Sequence, residues 1–395
     1  MKLKLNLMAM LFLCSSITAV QAQKVNVNKA VQSAEKQAGV MLDNIAAIKG
    51  EAPLLVSPRT VENGKLKMVV ARDWTSGFFP GMLWYLYELT QNPKWLAEAK
   101  KYTQHLENQQ FTTTTHDLGF ILYCSFGNGY RLTKDTAYRA VIIQSAKSLC
   151  KRFSPATGVI RSWDHHADRW AFPVIIDNMM NLELLFEATK LTGDSSYYKI
   201  AVSHANTTMK NHFRKDFSSY HVVDYDPKTG EVQAKATAQG YADESSWARG
   251  QAWALYGYTM CYRETKDPAY LAQADSIAKF IFHRAVNLPK DQVPYWDFND
   301  PKIPLSPRDA SAAAIIASGL FELSKYSSNG KSYHKKADQI LNTLAKKYTS
   351  KPGESKGFIL EHSTGNKPSN SEIDVPIIYA DYYYLEALLR SRQLR

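Results

Sequence analysis

An arginine lies between Trp247 and Trp253 at the predicted start of a helix. Arg249 and Trp253 are four residues apart, and that spacing places two side chains on one face of a helix. A guanidinium can donate two parallel hydrogen bonds to a carboxylate, and an indole ring can cover the apolar face of a sugar ring. The pair therefore suits an acidic sugar. The alternative is a core tryptophan beside a structural ion pair.

Other residues that could take part in chemistry precede predicted helices in long connecting segments. Polar ones are Asp73, His116, Asp117, Asp164, His165, His166, Asp168, Asp177, His221, Arg308, Asp309, His362 and Asp374. The tryptophans among them are Trp74, Trp163, Trp170, Trp247 and Trp296. Each of these residues alone is more often a helix cap or a core residue. Their convergence in long loops on a rigid scaffold favours a binding or catalytic site.

A turn pattern that occurs five times fixes the helices around these segments. Thr or Ser ends one helix, and an aromatic residue five positions later begins the next. The copies are Thr90 to Trp95, Thr133 to Tyr138, Thr192 to Tyr197, Thr265 to Tyr270 and Ser328 to Tyr333. Asp, Asn, Pro and Gly between them are cap and turn residues, so the pattern predicts αα-hairpins.

The predicted helices fall into two classes that alternate along the chain. One class is apolar nearly all round and is expected to be buried: residues 75–90, 118–132, 177–191, 247–264, 309–325 and 376–390. The other class has a single apolar stripe: residues 26–48, 93–110, 136–152, 196–213, 269–285 and 332–349. Six buried and six amphipathic helices predict an all-α fold, an (α/α)6 barrel. An open α-solenoid is the structural alternative.

The connectivity predicts which end of the barrel carries the site. Short turns close one end, whereas the long connections all meet at the other, where the buried helices begin. These connections are residues 49–74, 111–117, 153–176, 214–246, 286–308 and 350–375.

Residues 1–22 have the pattern of a signal peptide: Lys2 and Lys4, an apolar run and a small-residue cleavage site before Gln23. We therefore expect an exported protein, in the bacterial periplasm, with residues 23–395 as a single catalytic domain. No later run is long enough to span a membrane. Cys124, Cys150 and Cys261 are expected to be buried free thiols.

The charge pattern favours an anionic small ligand over nucleic acid. Loss of Lys2 and Lys4 lowers the formal net charge from +11 to +9. No basic run with interleaved aromatic residues, as in proteins that bind nucleic acid, is present. The adjacent His165 and His166 lack the spacing of a zinc-binding helix, so we expect no metal and no cofactor.

Five motifs make the chain similar to the unsaturated glucuronyl hydrolases of glycoside hydrolase family 88. They are Arg72-Asp-Trp-Thr-Ser-Gly-Phe-Phe-Pro-Gly81, His116-Asp-Leu-Gly-Phe120, Ile175-Ile-Asp-Asn-Met-Met-Asn181, Gln239 through Trp253, and Ile378-Tyr-Ala-Asp-Tyr-Tyr-Tyr-Leu-Glu-Ala387. The resemblance covers nearly the whole chain after residue 22. The fold of that family is an (α/α)6 barrel, in agreement with the helix pattern.

The resemblance implies removal of a Δ4,5-unsaturated glucuronyl residue from the non-reducing end of acidic oligosaccharides made by polysaccharide lyases. Hydration of the C4=C5 vinyl ether begins the reaction. By the same resemblance, Asp177 is the general acid and base, and Asp117 is the second essential carboxylate. The implied substrate-binding residues are Trp74, His116, His221, Thr237, Gln239, Trp247, Arg249 and Trp253.

Two alternatives stay open from the sequence. Unsaturated rhamnogalacturonyl hydrolases of family 105 share this fold and chemistry, although the Trp247 to Trp253 and Tyr379 to Tyr384 stretches favour family 88. A non-catalytic, exported glycan-binding protein would use the same aromatic residues but would not need two carboxylates where buried helices begin.

Overall fold

The computed structural model describes residues 24–49, 54–283 and 288–395. The predicted signal peptide lies outside the described residues. The signal peptide and the domain boundary at residue 23 therefore stay predictions.

Twelve helices alternate along the described chain between an inner and an outer ring. The inner ring contains α2 (Phe78–Thr90), α4 (Asn128–Thr133), α6 (Leu182–Thr192), α8 (Ala248–Thr265), α10 (Ala310–Leu323) and α12 (Ile378–Gln393). The outer ring contains α1 (Val27–Lys49), α3 (Pro93–Gln104), α5 (Thr136–Cys150), α7 (Ser195–Asn211), α9 (Pro268–His283) and α11 (Gly330–Thr343). Because α12 packs against both α10 and α2, the inner ring is closed. The predicted (α/α)6 barrel is confirmed, and the open solenoid is excluded.

Burial explains the two classes of helix. Every residue of α10 is buried, as expected for a helix with neighbours on all sides. In α11 the buried residues include Tyr333, Ala337, Ile340 and Leu341, which follow one helical stripe. The short turns work as the sequence predicts, since Asp135 caps α5 by accepting a hydrogen bond from the backbone N–H of Ala137 at 2.9 Å.

Two inner helices begin with irregular turns. A π-helical segment, Gly119–Gly127, precedes α4, and a 3-10 segment, Ile176–Asn181, precedes α6. The two segments meet where Asn181 accepts a hydrogen bond from the backbone N–H of Phe120 at 3.0 Å. A side chain at Gly119 would collide with Asn181, so this close approach requires glycine. The sequence analysis predicted the extent of these helices but not their irregular starts.

Seven short strands lie in the described parts of the long connections, where the sequence predicts only loops. They are β1 (Leu55–Glu62), β2 (Lys65–Val70), β3 (Phe153–Ser154), β4 (Val159–Ile160), β5 (Pro173–Ile175), β6 (Val222–Tyr225) and β7 (Val232–Ala236). All pairs are antiparallel, and β5, β6 and β7 form one sheet in that order. The register pairs Ile175 with Val222. The sheet thereby brings Asp177, just after β5, next to His221, just before β6.

The cysteines are free, as expected, although their burial differs. Cys124 and Cys261 are buried in the core, whereas Cys150 is only half-buried because it ends an outer helix.

Candidate active site

A cavity of about 280 Å³ opens at the end of the barrel where the long connections meet. Five predicted site residues line it: Trp74, His116, Asp117, Asp177 and Gln239. Its other lining residues include Arg59, Thr115, Trp163, His165, Glu372 and Tyr379. The cavity therefore combines three carboxyl groups, those of Asp117, Asp177 and Glu372, with aromatic surfaces, as suits a sugar-binding site.

Asp177 is a buried carboxyl group with an incomplete set of partners. It is 6 % exposed, and its Oδ2 atom has no hydrogen-bond partner among the described residues. Burial raises the pKa of Asp177 to about 6; the charges of His116 and Arg249 oppose this shift, and the charge of Asp117 adds to it. A large fraction of Asp177 can therefore be protonated in mildly acidic solution.

Asp117 has the opposite electrostatic setting. Its Oδ2 atom accepts a hydrogen bond from the Thr115 hydroxyl at 2.6 Å, and its Oδ1 atom lies 3.2 Å from Nε2 of His116. Burial alone would raise the pKa of Asp117, but His116, Thr115 and the charge of Arg152 together lower it. The carboxylate does not cap the following helical segment, so the simple N-cap interpretation is wrong. Below about pH 6, the two aspartates can therefore differ in protonation, with Asp177 protonated and Asp117 ionised.

His221 is held as one neutral tautomer. Its Nδ1 atom accepts hydrogen bonds from the backbone N–H groups of Ala238 at 3.0 Å and Gln239 at 3.1 Å. Because Nδ1 accepts, the ring proton is on Nε2, which lies 3.6 Å from Oδ2 of Asp177. Burial, followed by the charges of Arg249 and nearby histidines, lowers the pKa of His221 to about 3. An N–H group thus faces the buried carboxyl without adding a positive charge.

Arg249 is buried behind the cavity rather than presented to it with Trp253. Its Nη1 atom donates to Oδ2 of Asp309 at 2.8 Å and to the Thr364 carbonyl at 2.6 Å; Nη2 donates to the Gly365 carbonyl at 2.5 Å. The guanidinium lies over the Trp247 ring, 4.2 Å from its centroid. Its Nε atom has no partner among the described residues, and Arg249 is not among the residues that line the cavity.

Trp253 does not pair with Arg249, so the predicted shared surface is wrong. The indole is fully buried against Phe120, at a centroid distance of 5.2 Å, and Tyr383, at 5.4 Å. The physical reason is that α8 is an inner helix, covered on all sides. Four-residue spacing aligns side chains along the helix but does not decide which neighbours they meet.

The remaining predicted residues lie around this centre. Trp74 packs against Tyr379 at a centroid distance of 5.1 Å and forms an aromatic wall. Gln239 donates to the Gly365 carbonyl at 3.2 Å. Thr237 accepts a hydrogen bond from the backbone N–H of Gly240 at 2.8 Å and so shapes the loop that fixes His221.

Comparison with known proteins identifies the family to which this site belongs. Residues 54–390 match Glycosyl Hydrolase Family 88. The chain belongs to this family. It is therefore a glycoside hydrolase, and the alternative of a non-catalytic glycan-binding protein is not retained.

Several proteins similar to this family 88 enzyme are named for their activity. An unsaturated glucuronyl hydrolase of Formosa agariphila is 56% identical over 328 residues, 82% of each chain. An unsaturated chondroitin disaccharide hydrolase of Streptococcus agalactiae is 33% identical over 93% of this chain and 92% of its own. A solved unsaturated glucuronyl hydrolase specific for heparin is 48% identical, with a TM-score of 0.88 over 93% of this chain and 97% of its own.

Residues without a predicted role also line the cavity of the family 88 enzyme. Arg59, on β1, donates from Nε to Glu372 Oε1 at 2.6 Å and from Nη1 to Asp73 Oδ2 at 2.9 Å. No local pattern marks Arg59 or Glu372, which are 313 residues apart and meet only because the barrel closes. Tyr379 did have a signal, since it lies in the Tyr-rich motif that begins α12.

No group of three or more His, Cys, Asp and Glu side chains suited to a metal ion occurs in the described parts of the family 88 enzyme. None of its described helices is long and apolar enough to cross a membrane.

Proposed function

We propose that this enzyme removes the Δ4,5-unsaturated glucuronyl residue from the non-reducing end of glycosaminoglycan-type oligosaccharides. The observation that carries the proposal is the pair of aspartates in one cavity, with the pKa of Asp177 raised to about 6 and the pKa of Asp117 lowered. Relatives with 33% to 56% identity are named unsaturated glucuronyl or chondroitin disaccharide hydrolases. Both lines of support point to acid–base chemistry on an unsaturated uronic acid.

In the proposed reaction, the carboxyl group of Asp177 donates its proton to C4 of the C4=C5 double bond. Positive charge then develops on C5 and the ring oxygen, and the ionised Asp117 stabilises it from the same cavity. Water adds to C5, and the carboxylate of Asp177 takes up the proton that the water releases. The hemiketal at C5 opens to a ketone, which leaves a hemiacetal at C1. That hemiacetal collapses to an aldehyde and releases the leaving sugar as an alcohol.

The neighbours of Asp177 suit both stages of this reaction. Its buried setting keeps the proton available before transfer, because burial disfavours the carboxylate. After transfer, the Nε2–H group of His221, 3.6 Å away, can move closer and donate to the new carboxylate. The aromatic wall of Trp74 and Tyr379 covers the apolar face of the sugar. The family resemblance makes Arg249 the proposed partner of the uronate carboxylate. Its Nε–H, which is buried behind the cavity wall and has no partner among the described residues, is the group available for that contact.

Loss of the ultraviolet absorbance of the conjugated double bond tests the activity directly. The substrates are unsaturated chondroitin, hyaluronan and heparin disaccharides, with an unsaturated rhamnogalacturonan disaccharide as the family 105 comparison. Turnover of a glucuronyl disaccharide supports the proposal. Turnover of the rhamnogalacturonan substrate alone would overturn it. The panel also identifies the parent polysaccharide. The similar proteins differ in this respect, since one is named for chondroitin disaccharides and another for heparin.

We further propose that residues 1–22 direct export to the bacterial periplasm, on the support of the charged start, apolar run and small-residue cleavage site. Cell fractionation of the full-length protein and of a chain that begins at residue 23 tests this. An amino-terminal sequence of the mature protein that begins at Gln23 is the expected result.

A further inference from the structure

A second cavity, of about 630 Å³, lies on the outside of the barrel, between the amino-terminal part of α1 and the carboxyl-terminal end of α11. We call it the seam groove, because it lies between the first and the last outer helix. It shares no lining residue with the active-site cavity.

The seam groove has a strongly one-sided charge. Lys24, Lys29, Lys346 and Lys351 line it, and all four are exposed. None of the described residues that line it is Asp or Glu. Lys351 forms a long, exposed ion pair with Glu354, at 3.7 Å. Four amino groups around one concavity produce a positive potential that attracts anions.

The helix that borders the groove adds to this potential. The amino-terminal end of a helix carries a partial positive charge, and acidic residues in its first turn usually offset that charge. The first turn of α1 has no acidic residue and instead contains Lys29. The charge of Lys29 therefore adds to the partial positive charge of the helix terminus.

A buried hydroxyl group gives an independent sign of a ligand. Tyr384, on α12, lines the groove and is fully buried, yet its hydroxyl has no hydrogen-bond partner among the described residues. Buried polar groups almost always have a partner. Amide and hydroxyl side chains of Asn342, Ser33 and Thr349 lie in the same lining. The groove thus offers neutral donors and acceptors as well as positive charges.

We propose that the seam groove binds an anionic polysaccharide segment, carrying carboxylate or sulfate groups, at a position separate from the active site. Lysines suit the anionic groups, and the amide and hydroxyl side chains suit sugar hydroxyls. No described lining residue presents an exposed aromatic ring, on which nucleic-acid bases would stack. The groove retains the enzyme on the polymer from which its short substrates are released. The inference goes beyond the proposed function, since binding here does not require turnover.

The experiment compares two triple variants of the full-length protein with equal loss of charge. The groove variant is Lys29→Gln, Lys346→Gln and Lys351→Gln. The control variant is Lys147→Gln, Lys199→Gln and Lys210→Gln, which removes three exposed lysines from α5 and α7. Titration calorimetry at low ionic strength measures binding of a saturated heparin dodecasaccharide, in the Asp177→Asn background and with excess unsaturated disaccharide to fill the active site.

We expect the groove variant to bind the dodecasaccharide about tenfold or more weakly, with the control variant within about twofold of the parent. When Asp177 is kept, both triple variants should turn over an unsaturated disaccharide at the same rate. The binding measurement does not depend on turnover, so failure of the proposed function would leave the binding result intact. Equal weakening in both variants would overturn the site, as would displacement of the dodecasaccharide by the disaccharide. Tighter binding of a 12-nucleotide oligothymidylate than of the dodecasaccharide would overturn the glycan assignment.

Discussion

The Nε2 atom of His221 faces Oδ2 of Asp177 at 3.6 Å, and the histidine is neutral because backbone N–H groups occupy its Nδ1 atom. A neutral N–H group can stabilise the carboxylate of Asp177, and it lowers the pKa of Asp177 less than a positively charged imidazolium would. This arrangement lets one aspartate donate a proton and later accept one at the same pH.

The pH dependence of the rate should report Asp177. Since the donor must be protonated, the rate should fall as the pH rises above about 6, the raised pKa of Asp177. The acidic limb should appear at lower pH, where Asp117 gains a proton. Initial rates on an unsaturated disaccharide between pH 3 and 9, in roughly half-unit steps, measure both limbs.

His221→Gln should keep the alkaline limb, because the pKa of His221 is already lowered to about 3. Disappearance of that limb in His221→Gln or His116→Gln would move the proton donor away from Asp177.

Asp177→Asn should abolish most of the activity while it increases stability at neutral pH. The amide cannot supply the proton, so turnover should fall by about 10² to 10⁴-fold.

The folded-state pKa of Asp177, about 6, is above the usual aspartate value of 3.8. The wild-type protein therefore loses stability as the pH rises from about 4 to 6, by at most about 3 kcal/mol. The asparagine variant should unfold at higher denaturant concentration than wild type at pH 8 but not at pH 3.5. A variant that is less stable at pH 8 contradicts the burial argument.

Arg249→Lys should reduce both the specificity constant and the stability. Lysine keeps the charge but cannot reproduce three directed hydrogen bonds together with a free Nε–H. We expect a loss of on the order of tenfold or more in kcat/KM, since charge-assisted hydrogen bonds contribute roughly 1.5 to 3 kcal/mol. Asp309→Asn is the matched control, because it weakens the arginine's support and leaves the arginine in place. If both variants lose stability equally and neither changes KM, Arg249 is structural only.

Glu372→Gln should loosen the segment that carries Gly365 into the cavity. This change weakens the two-pronged contact with Arg59, in which the Oε1 and Oε2 distances are 2.6 and 3.0 Å. KM should rise by up to about tenfold with kcat nearly unchanged, because the described hydrogen bonds of this pair do not reach Asp117 or Asp177. Glu88→Gln removes a similar two-pronged contact, with Arg131, from the closed end of the barrel and should leave KM unaltered. A rise in KM in both variants would point to a general loss of stability.

The sequence by itself determined the barrel. Turn residues such as Asn92 and Asp135, together with alternation between fully apolar and one-sided helices, specify six hairpins because these signals are local in the chain. It also indicated Asp117 and Asp177, since both precede buried helices at the end where the long connections meet. The family resemblance assigned their roles, and the match to family 88 agrees with it.

Only the tertiary structure decided how the two aspartates differ and which residues surround them. Their contrasting pKa shifts arise from burial and from charged neighbours that are distant in the chain, such as Arg152 for Asp117 and Arg249 for Asp177. Arg59 and Glu372 meet because the ring closes, and closure has no local signal. Trp253 turned inward because an inner helix is covered on every side, whereas helical spacing specifies only which residues share a face.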